Sequence, residues 1–319
     1  MKRRVAGLSL LLLAVVLSAC NREVATGLPA MSASSAVGDN KLKDAIAFFT
    51  RDFDPTNGGL AVMNSDGSGR RPLAGGELGF EPSISPDGRQ IAFSRNTDVG
   101  VTSIYVMNVD GTGTTEVAQG LVFNPTPRWS PDGCQIAFAW SHGDQQIGPR
   151  ISIVNANGSG FHTVTPDPGP DFVFEEGPTW SPDGTRLAFT RNSALHVINV
   201  DGTGLTALPN EDMAQNAAWS PDGQRIAYFS GNPVGEIHMR NADGSNLTTV
   251  TSGAFDSWPR WSADGRQLVF SRFINDFVQV FTINVDGTGA TGLTPAGVHD
   301  FMPDWGFRHS STRCSKTLD

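Results

Sequence analysis

Short apolar runs recur along this chain at a spacing too tight for helices. Ile46-Ala47-Phe48, Ile91-Ala92-Phe93, Ile136-Ala137-Phe138, Leu187-Ala188-Phe189, Ile226-Ala227-Tyr228 and Leu268-Val269-Phe270 each stand between turn-forming residues. Bounded runs of this length, rich in Ile, Val and aromatics, predict strands. Five of them follow a constant pentapeptide: Ile84-Ser85-Pro86-Asp87-Gly88, Trp129 to Gly133, Trp180 to Gly184, Trp219 to Gly223, and Trp261-Ser262-Ala263-Asp264-Gly265. A truncated copy, Asp304-Trp305-Gly306, ends the series. Successive intervals from residue 84 are 45, 51, 39, 42 and 44 residues. That period is the length of a four-stranded propeller blade.

The rest of each unit repeats as well. A third strand, such as Ile104 to Met107 or Val280 to Ile283, runs into a second turn written Asn64-Ser65-Asp66-Gly67, Asn108 to Gly111, Asn155 to Gly158, Asn199 to Gly202, Asn241 to Gly244 and Asn284 to Gly287. A fourth strand, such as Thr248 to Thr251, completes the unit. In Ser-Pro-Asp-Gly the proline presets the first turn position and the glycine supplies the positive φ that follows, while Asp-Gly is a hairpin signal. The repeated aspartates therefore read as turn formers, not as metal ligands or catalytic acids.

Counting half-units sets the blade number. The piece from Ile46 to Leu73 has strands two to four but no Trp strand, and the piece around Phe301 to Trp305 has only the Trp strand. The expected fold is all-β: a six-bladed β-propeller of four-stranded blades, one blade composed from both chain ends. Such closure leaves no open sheet edge in the ring.

Composition supports turns over helices: among 319 residues there are 36 Gly and 20 Pro, and only 17% are charged. With Lys+Arg at 23 against Asp+Glu at 32 the chain is acidic, which argues against a nucleic-acid partner. Lys2, Arg3 and Arg4 precede an apolar run from Val5 to Leu17 and then Leu17-Ser18-Ala19-Cys20, which reads as an export signal. The expected organisation is a signal over 1–19, a lipidated Cys20 with a flexible Ala-, Ser- and Gly-rich tether over 20–44, the propeller over 45–306 and a tail over 307–319. Cys134 and Cys314 then remain either as a disulfide or as two free thiols.

Leu17 to Cys20 resembles the lipobox of bacterial lipoproteins, which implies cleavage before Cys20, lipidation of that residue and attachment to a membrane surface. Asn21 after the cysteine is compatible with an outer-membrane destination in a Gram-negative host. The Trp-Ser-Pro-Asp-Gly and Asn-x-Asp-Gly motifs resemble the WD40-like propeller repeats of the bacterial TolB family. That resemblance implies a periplasmic propeller that partners envelope proteins such as the lipoprotein Pal. Unlike the family's namesake, this sequence has only residues 21–44 between the lipobox and the propeller, too few for a separate α/β domain.

Motifs for catalysis are wanting. Gly287-Thr288-Gly289-Ala290-Thr291-Gly292 matches G-x-G-x-x-G as a string but lies in a hairpin leading to a strand, and no nucleophile elbow, H-E-x-x-H or EF-hand motif occurs. The six histidines show no metal-ligand spacing. Fourteen residues follow Trp305, too few for the hydrolase domain that similar propellers precede in prolyl-oligopeptidase-like enzymes. No catalytic residue, metal or cofactor is assigned.

The connections that vary between units lie on the face opposite the two constant turns, over 51–59, 95–102, 140–150, 230–236 and 271–279, and over 119–127, 165–178, 209–216, 252–258 and 295–301. A rigid scaffold with variable loops on one face suits recognition. Asn124, Glu175, Asp256 and Asp300, five residues before each Trp, are candidates for the mouth of the central channel. Arg51, Arg95, Arg191 and Arg272 end second strands on the same side. They either neutralise these acids in inter-blade salt bridges or leave an acidic mouth for a cation or a basic peptide. Phe80, Phe123, Phe172, Phe174, Phe255 and Phe301 are candidate anchors there or blade core. The expected function is that of a monomeric, non-enzymatic, lipid-anchored envelope scaffold binding a protein or peptide. A carbohydrate-active enzyme of the polysaccharide-lyase type and a glycan or small-ligand binder are the alternatives.

Overall fold

The computed structural model describes residues 42, 44–52, 58–97, 101–121, 125–141, 148–169, 171–209, 213–231 and 235–306. The signal, Cys20, the tether apart from Leu42 and Asp44, the tail and Asn124 lie outside them. Within the described residues the strands form six four-stranded antiparallel sheets. Numbered by their Trp-position strands, blades 1 to 5 begin with Gly79–Ile84, Arg128–Trp129, Glu175–Trp180, Ala214–Trp219 and Phe255–Trp261. Blade 6 pairs Asp300–Trp305 with Ala45–Thr50, followed by Gly59–Asn64 and Arg71–Glu77. The two chain ends thus share one sheet, as the half-units require.

The apolar triplets occupy the second strands and are fully buried. Each blade is apolar on both faces, so the core is not inside any sheet. It lies between sheets: every hydrophobic cluster joins one blade to the next, from Ala47 and Leu60 of blade 6 with Ile91 and Phe93 of blade 1, round to Val269 and Val280 of blade 5 with Ile46 and Phe48 of blade 6. The Trp side chains are wedged at these seams. Trp129 Nε1 donates to Ser83 O (3.1 Å), Trp180 Nε1 to Arg128 O (3.0 Å) and Trp261 Nε1 to Ala218 O (2.9 Å), each across to the preceding blade. Trp219 and Trp305 are the exceptions, the first donating to Gly223 O of its own turn and the second to Asp44 Oδ1 at the start of its own blade's second strand. Arg186 and Arg225 lie over the rings of Trp219 and Trp261 in the following blades, 4.9 Å from the centroids.

The constant turns are tied by their own side chains. In the first, Asp87 accepts from Ser85 Oγ and Arg89 N while Ser85 Oγ accepts from Gln90 N, and the same bonds recur around Asp132, Asp183, Asp222 and Asp264. In the second, Asp66, Asp110, Asp201, Asp243 and Asp286 each accept from a Ser or Thr two residues on. Those hydroxyl and amide donors hold the carboxylates below their ordinary pKa. Their role is to fix the hairpins.

One expectation changes and one open alternative is settled. Residues 271–279 are not a variable loop: the strands Gln267–Ile274 and Phe277–Asn284 continue through them to a two-residue turn, Asn275-Asp276, with φ of 49° and 70°. Asn and Asp tolerate that left-handed conformation better than other residues, which is why a tight hairpin forms without glycine. Cys134 is disulfide-bonded, with its partner outside the described residues, so it is not a free thiol.

Because each Trp fills a seam between two blades, Trp261→Ala is expected to cost about 3–5 kcal/mol. Urea unfolding of the variant, read by far-UV circular dichroism, checks this.

Candidate functional site

The innermost strands carry a repeated irregularity. At the third residue before the Trp position stand Glu81, Thr126, Gly177, Asn216, Trp258 and Met302, with φ of 52°, 46°, 60°, 54°, 52° and 56°. Five of these are not glycine, and a left-handed conformation is costly for them outside an over-determined setting. The pairing register slips here in the described long strands, between Phe80 and Ser83, Glu176 and Thr179, Gln215 and Ala218, Ser257 and Arg260, and opposite Ala47 and Phe49. Each slip is a β-bulge, one extra residue that resets which side chains face which way. A proline follows in five strands, Pro82, Pro127, Pro178, Pro259 and Pro303, a residue tolerated only at sheet edges and bulges.

Ahead of the bulge lie the acids singled out by sequence. Glu175, Asp256 and Asp300 are buried, and each is engaged by arginine. Asp256 stands opposite Arg272 in the ladder and accepts two 2.7 Å bonds from it. Glu175 stands opposite Arg191, accepts a 3.0 Å bond from it, and takes two more from Thr165 Oγ1 (2.6 Å) and Ile151 N (3.0 Å) of blade 2. Asp300 is held by Arg70, at 2.9 and 2.8 Å, not by Arg51. Register explains the substitution: the residue opposite Asp300 is Thr50, and Arg51 is one step further along. A one-residue step in a strand turns the side chain to the other face. Arg95 faces Gly79, which has no side chain to offer, so its guanidinium stacks on Phe93 and Tyr105 at 5.1 Å and donates to Gly75 O. The three acid–arginine pairings are within blades rather than between them.

Burial pushes the Glu175 and Asp300 carboxyls above their ordinary range, opposed by their hydrogen bonds and arginines. Burial also opposes the charge of Arg70, but bonds to Asp300 and Asp52 outweigh it and raise its pKa. Of the phenylalanines, Phe301 is buried against Phe49, whereas Phe172 is 48% exposed. Phe123 lies outside the described residues.

Past the bulge the picture differs. At the end of the channel framed by the Ser-Pro-Asp-Gly turns, a funnel open to solvent is walled by Trp129, Trp180, Trp219 and Trp261, with Arg128, Arg260 and Asp304 among its lining. Asp304 accepts from Ile84 N at 2.8 Å and lies 3.8 Å from Arg260 Nε. Next along blade 1, the buried Glu81 carboxylate accepts from Thr126 N (2.9 Å) and Ser94 Oγ (3.1 Å). Burial pushes Glu81 up to about 7 against those two bonds and Arg128. Burial also raises Glu176 to about 7, reinforced by the Glu81 charge.

A family model described as the TolB beta propeller domain matches residues 43–308. The chain belongs to that family. It is 35% identical over 83 residues to the Tol-Pal system protein TolB of Alcanivorax borkumensis, covering 25% of this chain and 19% of that one. It is 31% identical over 134 residues to a TolB homolog of Chlorobium luteolum, covering 40% and 28%. The chain spans less than two fifths of the length of these curated relatives. The crystal structure of TolB from Acinetobacter baumannii superposes with a TM-score of 0.72 at 18% identity, over 84% of this chain and 68% of that one, a likeness of fold.

Within this family fold, sequence reasoning missed Arg128, Arg260, Asp304, Glu81 and Glu176. A signal for the first three was present: in an otherwise constant motif, the residue before the Trp position reads Ser83, Arg128, Thr179, Ala218, Arg260 and Asp304. The acids ahead of the bulge were visible, but not that they would be buried.

Arg272→Ala leaves a fully buried Asp256 without its partner and is expected to cost about 3–5 kcal/mol. Arg191→Ala is expected to cost less, because Glu175 keeps Thr165 and Ile151. Urea midpoints of the two variants compare them. Glu81 also gives a pH signature. Its folded pKa lies above its unfolded value, so the native state holds the extra proton between about pH 4.5 and 7. The stability from this group is full below that window, falls as pH rises through it and levels off above. Glu81→Gln should therefore gain on the wild type by about 2 kcal/mol between pH 5 and pH 8, measured as the difference in unfolding free energy at each pH.

Proposed function

We propose that this protein is a non-enzymatic binding scaffold of the bacterial cell envelope, tethered by lipid at Cys20, whose variable-loop face holds a protein or peptide partner. The observation that carries the reading is the contrast between the two ends of the ring. One end repeats the same side-chain-tied turns round the ring. The other carries connections of differing length above three buried acid–arginine pairs, at Glu175, Asp256 and Asp300. A stiff rim under divergent loops suits recognition, because little ordering entropy is lost when a partner binds. In this reading the acids and Arg70, Arg191 and Arg272 brace the loops, and contact falls to exposed side chains such as Phe172. Large aromatics of that kind anchor many interfaces.

Membership of the TolB propeller family supports an envelope setting, and the Leu17 to Cys20 lipobox supports attachment to its membrane. The protein partner is favoured over a catalytic role because the conspicuous charged groups of the loop end are paired with each other.

A photo-crosslinking residue placed at Phe172 in the membrane-bound protein is expected to capture a recurrent envelope protein. The same residue at Leu247, beside the constant turns, is expected to capture none. Adducts from Leu247 alone would reverse the face assignment. Cys20→Ser should move the protein from the membrane pellet to the soluble fraction; retention in the pellet would remove the lipid anchor from the reading.

A further inference from the structure

The turn-face funnel carries a second, separate chemistry. Arg128 and Arg260 are 9% and 4% exposed, yet their hydrogen bonds run only through Nη1. Arg128 Nη1 donates to Pro127 O (2.7 Å) and Pro82 O (3.4 Å). Arg260 Nη1 donates to Pro259 O (2.7 Å), Asn216 O (3.3 Å) and Ala217 O (3.5 Å). The backbone carbonyls thus fix both guanidiniums, and among the described residues the opposite edge, Nε with Nη2, makes no hydrogen bond, Arg260 Nε having only a 3.8 Å ion pair with Asp304. Both Nε atoms are buried without a hydrogen-bond partner. Buried donors without acceptors are costly, and a guanidinium edge matches the two oxygens of a carboxylate.

The resident anions do not fill this demand. Asp304 directs one oxygen to Ile84 N and keeps the other 3.8 Å from Arg260 Nε, beyond hydrogen-bond reach. Glu81, whose charge also acts on Arg128, is turned to Thr126 N and Ser94 Oγ. Around the two cations the wall is indole and proline, a surface for an apolar body.

We propose that the turn-face end of the channel is a carboxylate-binding site, in which the free edges of Arg128 and Arg260 hold the acid group of a ligand whose apolar part lies among the tryptophans. The acid group belongs either to a free organic acid or to a peptide terminus; the chemistry recognised is the same. The site lies at the other end of the channel from the loop face and does not depend on the partner proposed for that face.

Intrinsic tryptophan fluorescence of the full-length protein reads the site directly, because four indoles line it. Benzoate is expected to change the emission saturably and benzamide, its neutral counterpart, to leave it unchanged. A Gly-Phe dipeptide with a free terminus, set against its amide, separates the peptide source from the free acid: saturation by the free-terminus form supports a peptide terminus, and saturation by benzoate alone supports a free acid. Arg128→Gln and Arg260→Gln should each weaken binding at least tenfold, with thermal unfolding of each variant monitored alongside. Asp304→Asn retains the acceptor for Ile84 N but removes the competing charge, and should tighten benzoate several-fold. Equal responses to benzoate and benzamide, no saturable response to any of the acids, or weaker binding in Asp304→Asn would overturn the proposal.

Discussion

Every blade of this protein is a sheet with two apolar faces, and that constraint governs the rest. A single sheet of this kind would leave one face in water whichever way it packed. Only a closed ring gives each face a neighbour, so the hydrophobic clusters sit between blades and the Trp side chains are wedged at the same seams. The pairing of Asp300–Trp305 with Ala45–Thr50 supplies the last neighbour. Without it, the faces of blades 5 and 1 that now pack on blade 6 would lose their cover together.

How much of this the sequence discloses depends on the level asked. The blade count, the two turns and the composite blade follow from motifs such as Trp180-Ser181-Pro182-Asp183-Gly184, because proline and glycine act locally and need no tertiary context. Side-chain destinations on the innermost strands were not legible. The bulges at Glu81, Asn216 and Met302 reset the alternation that strand reasoning relies on, and nothing in the period of two announces them. The proline beside five of the six left-handed positions, Asn216 being the exception, is the one local trace. Arg51 shows the same limit at single-residue scale: it ends a second strand as Arg95 and Arg191 do, but one position out of register, and Arg70 from the fourth strand's entry takes the place beside Asp300. Arg128 and Arg260 differ again, being the variable letter inside a constant word.

The channel therefore has two ends with opposite electrostatic habits. At the loop end, carboxylates and arginines meet in matched pairs at 2.7 to 3.0 Å, so the charges are largely satisfied internally. At the turn end, two buried guanidiniums are fixed by backbone carbonyls, and the acids beside them are directed elsewhere. Glu81 and Glu176 lie along the channel-lining strands, and burial brings both to about 7. The interior field consequently varies near neutrality, while Asp66, Asp110, Asp201, Asp243 and Asp286 of the second turns, held low by their hydroxyl donors, stay ionised.

The closing strand also bears on how the chain reaches its fold. Trp305 Nε1 donates to Asp44 Oδ1, partners 261 residues apart. A contact of that separation forms only after a long loop has been closed, and non-local pairings of this kind slow folding. Blades 1 to 5 are each local in sequence and can assemble in order as the chain emerges, whereas blade 6 has to wait for its innermost strand. During that interval the edge of Ala45–Thr50 is an unpaired strand next to an uncovered apolar face, the kind of surface that invites pairing with another chain. The ring that has no free inner edge when finished is thus most vulnerable to misassembly just before its last six residues of strand arrive.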